Sequence, residues 1–103
     1  NIKSVSLITV GGFYENIPRS LPEGLNARIQ KSAIKILPVF DLIARTGNIP
    51  EKDMFNTFNM GVGMTVIVSP EDVEKTLNIF QQNGQEAYVI GEVAKGESGV
   101  ILC

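Results

Sequence analysis

Histidine is absent from this 103-residue sequence, and with it go the Ser-His-Asp triad, the Cys-His dyad, the histidine general base and the usual zinc sites. Cysteine occurs once, as Cys103, so no intramolecular disulfide can form and no thiolate metal site can assemble; the usage suits a reducing compartment. Basic charge is scarce too. Nine Lys and Arg stand against eleven Asp and Glu, for a formal net charge of −2 and a pI near 5.0, which leaves no broad cationic face for nucleic acid or an acidic membrane. No apolar run approaches the roughly 18 residues of a membrane span, and no charged-then-apolar leader precedes the first strand pattern. The expectation is a cytoplasmic chain with neither a nucleic-acid nor a membrane partner. The standard nucleotide motifs are missing as well. Gly11-Gly12 has neither the spacing nor the lysine of GxxxxGK[ST], and Gly61-Val62-Gly63 leads into a strand pattern where a dinucleotide fingerprint would lead into a helix.

What remains is 44% hydrophobic and 19% charged, enough for one small domain that buries roughly 60–65% of its unfolded surface. Neither a repeat nor a low-complexity tract interrupts it, so residues 1–103 are expected to form a single domain. The sequence begins with Asn1 and enters a strand pattern at once, which reads as a piece of something longer.

Chemistry concentrates in Thr9-Val10-Gly11-Gly12-Phe13-Tyr14-Glu15-Asn16-Ile17-Pro18-Arg19. A strand-like run ends in paired glycines, which permit positive φ and close backbone approach, and a guanidinium follows. Backbone N–H groups and Arg19 together can hold an anion; the same residues can equally make a tight turn with Arg19 in a surface ion pair. Asn16 can cap a short helix whose first turn tolerates Pro18, whereas a helix beginning at Gly12 would place that proline inside it. Among the carboxylates, Glu51, Asp53, Glu71 and Asp72 fall at apparent helix starts and favour the helix dipole, while Glu15 lies within the glycine segment.

The remaining pattern alternates. Residues 2–9 are apolar on both faces and read as a strand inside a sheet. Residues 25–29 alternate with period two, and residues 38–46 and 50–58 form a helical pair with Gly47 just beyond the first. Residues 64–68 read as a buried strand. Ser69-Pro70-Glu71-Asp72 looks like an N-cap, and Val73, Leu77 and Phe80 make one apolar stripe before Gly84. Residues 86–93 and 99–102 are closing strands joined by a turn at 96–99, with Gly91 marking a bulge or close backbone contact. This order predicts an α+β fold, a mixed sheet carrying helices in a two-layer sandwich.

Three stretches in order, residues 11–22 (GGFYENIPRSLP), 57–64 (TFNMGVGM) and 87–93 (AYVIGEV), resemble the aminoimidazole ribonucleotide synthetases, or phosphoribosylformylglycinamidine cyclo-ligases, over nearly the whole chain. The resemblance implies a C-terminal portion of a larger ATP-dependent synthetase, partly ferredoxin-like, with a sheet that preceding segments would complete. It implies ATP and magnesium in the parent, bound by an N-terminal domain and not by this chain alone, a phosphoribosyl substrate and a homodimer. The family activates a formyl-amide oxygen with ATP so that a nitrogen can close the imidazole ring. Its wording is usually close to His-Ile-Thr-Gly-Gly-Gly, where this chain has Leu7-Ile8-Thr9-Val10-Gly11-Gly12. Leu7 cannot move a proton and Val10 adds a branched side chain. The resemblance therefore carries a substrate-facing role to Thr9, Gly11, Gly12, Asn16 and Arg19, no catalytic residue and no metal ligand, and an isolated chain without turnover. A non-catalytic small-anion-binding or assembly module is the alternative.

Overall fold

A computed structural model describes residues 2–103. Strand β1 (Ile2–Leu7) runs into helix α1 (Gly12–Asn16) and a 3-10 turn (Ile17–Ser20), then strand β2 (Leu25–Ile29). Helices α2 (Pro38–Gly47) and α3 (Glu51–Thr57) follow, then β3 (Met64–Val68), a 3-10 turn (Pro70–Asp72), α4 (Val73–Gln82), β4 (Gly91–Lys95) and β5 (Gly99–Leu102). The fold is α+β, as the alternation predicts. No helix among the described residues is long and apolar enough to cross a membrane.

The strands form two sheets rather than one. β1 pairs antiparallel with β3 alone, and β2 lies between an antiparallel β4 and a parallel β5. β4 and β5 therefore never pair with each other. Their connection crosses the start of β2, where the Gly96 N–H donates to the Gly24 carbonyl at 3.0 Å. The fourth strand also begins at Gly91 and not at residue 86. Gly91 supplies the close contact expected of it, since a Cβ there would stand 2.0 Å from the Arg28 carbonyl oxygen of the neighbouring strand. Residues 86–90 are anchored without a ladder. The Lys35 backbone N–H donates to the Tyr88 hydroxyl at 3.0 Å, and the Lys35 ammonium donates to Glu86 at 2.6 Å. That hydrogen bond to Glu86, with the carboxylate's charge, raises the Lys35 pKa.

The core gathers under α1. Phe13, Phe55 and Met54 are almost fully buried, and the Phe13 and Phe55 rings meet edge to face at 5.1 Å and 77°, the arrangement that aromatic quadrupoles favour. Ile8, Ile17 and Ile29 close around them. α2 and α4 contribute no buried residue; α2 lays Phe40, Ile43 and Ala44 against the core from outside.

Several local expectations fail for physical reasons. β1 is not a two-faced interior strand: with β3 as its one partner, Val5 is 47% and Leu7 58% exposed. β3 is likewise only half-buried, and Met64 is exposed. α1 does begin at Gly12, because the chain switches to 3-10 geometry at Ile17 and so puts Pro18 in the first turn of a new element. The Asn16 and Ser69 side chains cap nothing. Gly47 stays helical and Asn48 takes the left-handed position, with φ 50°.

Gly12 is the tightest point. Its φ is +61°, and a Cβ would stand 2.0 Å from the Phe55 carbonyl oxygen, whereas Gly24 has φ +84° and open space around it. Gly12→Ala should therefore destabilise by about 2–6 kcal/mol, overpacking added to left-handed strain. Gly24→Ala should cost about 1–2 kcal/mol from strain alone. Urea denaturation of both variants checks this, and equal losses would show that the Phe55 contact can relax.

Candidate functional site

Between β1 and the Ile17–Ser20 turn lies an open pocket of about 330 Å³, lined by Val5, Ser6, Leu7, Thr9, Asn16 and Arg19. Three of the five residues proposed from the sequence, Thr9, Asn16 and Arg19, meet here. Gly11 and Gly12 do not line it.

Asn16 organises the wall. It is 3% exposed, and its Nδ2 donates to the carbonyls of Gly12 at 2.8 Å, Val10 at 3.2 Å and Thr9 at 3.3 Å. The Thr9 hydroxyl donates to Asn16 Oδ1 at 3.3 Å, and the Ser6 hydroxyl donates to the Asn16 carbonyl at 3.1 Å. The amide thus ties the end of β1, the glycine turn and α1 together. Its two N–H donors are already shared among three acceptors, so only an Oδ1 lone pair remains for anything else.

The glycines are engaged structurally. Gly11 at φ +102° and Gly12 at φ +61° are buried and turn the chain. The Gly12 N–H donates to the Thr9 carbonyl at 3.0 Å, so it does not point at a ligand. α1 has five residues, too short for a helix dipole of useful size. Arg19 remains as the pocket's charge. Among the described residues the ion pairs involve Lys31, Lys35 and Arg45, and Arg19, which is exposed, makes none. A free guanidinium offers five donors in a planar fork that matches phosphate or carboxylate oxygens. Val5, Ser6 and Leu7 were not foreseen as part of the site. A signal existed for Ser6: a hydroxyl between the apolar Val5 and Leu7 needs an acceptor if it faces inward, and it finds the Asn16 backbone carbonyl. Val5 and Leu7 carried none, since a strand presumed interior has no solvent-facing rim.

Chemically the pocket can hold an anion. Among the described residues no three acidic or cysteine side chains gather as metal ligands, and no side chain lining the pocket can exchange a proton at neutral pH.

The family model for the AIR synthase related protein C-terminal domain matches residues 1–103. The chain is similar to phosphoribosylformylglycinamidine cyclo-ligases. It is 52% identical over 98% of its length to that of Caldanaerobacter subterraneus subsp. tengcongensis, covering 30% of that protein. It is 50% identical, at the same coverage of 98% and 30%, to that of Caldicellulosiruptor saccharolyticus. The Thermoanaerobacter sp. strain X514 protein is 52% identical over 98% of this chain and 30% of its own. The chain thus spans about 30% of the length of these relatives.

The hydrogen-bond pattern separates two kinds of residue in the pocket. Asn16→Leu removes the hydrogen bonds to the Thr9, Val10 and Gly12 carbonyls, the last of them buried, and should destabilise by about 1–3 kcal/mol. Arg19→Ala should change stability by less than about 0.5 kcal/mol, as at an unconstrained surface position. Thermal and urea unfolding of the two variants report this directly; a large loss at Arg19 would make it structural.

Proposed function

The chain belongs to the AIR synthase related C-terminal domain family, and from that premise we propose that it works as the C-terminal portion of an ATP-dependent phosphoribosylformylglycinamidine cyclo-ligase in purine biosynthesis. The observation that carries this reading is the unpaired Arg19 beside Thr9 and Asn16, in a chain about half identical to cyclo-ligases. Arg19 forks the phosphate of the phosphoribosyl substrate. Thr9 and Asn16 hold the turn that presents it, and Gly11 and Gly12 let that turn pack.

No residue of this chain carries the proton transfers. Leu7 stands 58% exposed at the pocket and Val10 90% exposed next to it; both have hydrocarbon side chains. ATP with magnesium supplies the phosphoryl group that turns the formyl-amide oxygen into a leaving group. The residues described here do not fit either: they gather no metal-ligand cluster, and the glycine turn spends its Gly12 N–H internally. In this reading both belong to the N-terminal part of the parent, and the isolated chain is expected to show no ATP-dependent turnover.

The rest of the parent has a place to dock. The Ile8 N–H donates to the Gly63 carbonyl, so even-numbered residues of β1 face β3 and the peptide groups of Val5 and Leu7 point outward along a free edge. Val5, Leu7 and Met64 add an exposed apolar face. A two-stranded sheet is marginal by itself, and an open edge invites a further strand.

Two outcomes are expected in the full-length protein. Arg19→Ala should weaken binding of a ribose-5-phosphate analogue by roughly 1.5–3 kcal/mol in calorimetric titration, the range for a hydrogen bond to a charged group; unchanged affinity removes the phosphate-clamp role. Hydrogen exchange should show the Val5 and Leu7 amides protected in the full-length protein and unprotected in residues 1–103, with Ser6 protected in both. Equal protection of Leu7 in the two would place the parent's contact elsewhere.

A further inference from the structure

A second cleft, of about 620 Å³, shares no residue with the Arg19 pocket. It opens between α1 and α3 on one side and the connection from β4 to β5 on the other, and Tyr14, Asn26, Lys52, Glu97 and Ser98 line it. Three features distinguish it from an ordinary surface groove. Asn26 is 5% exposed, and its Oδ1 is buried without a hydrogen-bond partner. Lys52 lies with its ammonium 5.9 Å from the centre of the Tyr14 ring and, like Glu97, is in no ion pair among the described residues. The connection that covers Asn26 has glycines at both ends in left-handed geometry, Gly96 at φ 154° and Gly99 at φ 133°. Gly96 sits directly on the Asn26 amide, since a Cβ there would be 2.6 Å from Nδ2.

We infer that this cleft binds a small zwitterion of the α-amino-acid class, its ammonium donating to Asn26 Oδ1 and Glu97 and its carboxylate accepting from Lys52 and the Ser98 hydroxyl. The orphaned carbonyl oxygen requires a donor, which excludes a simple carboxylate as the ligand. Lys52 and Glu97 sum to zero charge, which matches a zwitterion and disfavours a dianion such as phosphate. The Tyr14 ring lies beside the Lys52 ammonium without neutralising it, so its charge stays available to the ligand. Entry lifts the glycine-hinged connection off Asn26.

The test is calorimetric titration of the full-length protein with glycine, glycinamide and acetate. Saturable glycine binding is expected, with glycinamide and acetate weaker by at least about tenfold, since each lacks one charged half of the zwitterion. Lys52→Gln and Asn26→Leu should each weaken glycine by a similar factor, and Arg19→Ala should leave it unchanged, which keeps this site separable from the phosphate pocket. Lys52 is exposed, so its variant serves if Asn26→Leu does not fold. Absence of saturable glycine binding, equal binding of acetate, or full affinity in Lys52→Gln would each overturn the assignment.

Discussion

The Asn16 side chain is the contact on which the rest of the architecture depends. A five-residue helix cannot hold itself in water, because so few hydrogen bonds do not offset the entropy of nucleation. Here one buried side-chain amide donates to the carbonyls of Thr9, Val10 and Gly12 and accepts from the Thr9 hydroxyl, while the backbone carbonyl of the same residue accepts from Ser6 on β1. The short helix is thereby fastened to the strand before it. Phe13, on that helix, then points at Phe55, Ile17 closes the core, and Arg19 emerges beside β1. Core and candidate site are two consequences of a single residue's hydrogen bonds.

Backbone approach is the second constraint, and it explains where the glycines went. Gly12 lets α1 lie against the Phe55 carbonyl, and Gly91 lets β4 lie against the Arg28 carbonyl. A paired-glycine turn before a helix has the composition of an anion loop, but composition does not say which way the freed N–H points. In this chain the Gly12 N–H closes the turn on Thr9. What is left to meet an anion is the Arg19 guanidinium, exposed and in no ion pair among the described residues, which is compatible with a ligand held mainly by groups from elsewhere in a larger protein.

The exposed apolar surface fits that picture. β1 offers Val5 and Leu7 to solvent, and Leu37 with Val39 and Leu42 of α2 is exposed as well. The chain is half identical to proteins more than three times its length, and apolar faces of this kind are where a longer polypeptide gains area by packing. Asn26 is a different matter: a buried polar atom without a partner costs about 1–3 kcal/mol unless something satisfies it, and it belongs to the other sheet, not to that of β1.

The α+β class, most element positions and the family were legible in the residues themselves. Periodicity marks β2, α2, α3 and α4 because apolar residues recur at strand or helix spacing along each, and the wording of residues 11–22 carries the family. Three of the five proposed site residues meet in one pocket because Thr9, Asn16 and Arg19 are close in sequence and a single turn brings them together. What local pattern could not decide was everything that depends on a neighbour. An apolar run does not reveal whether a second strand flanks it, so β1 read as interior when its far edge is open. Strands separated by a tight connection do not reveal that a third lies between them, as β2 does between β4 and β5. An asparagine before a proline reads as a helix cap because capping is the local use of its amide; only the tertiary structure, by bringing three carbonyls of an earlier turn within reach, made it a cross-link instead.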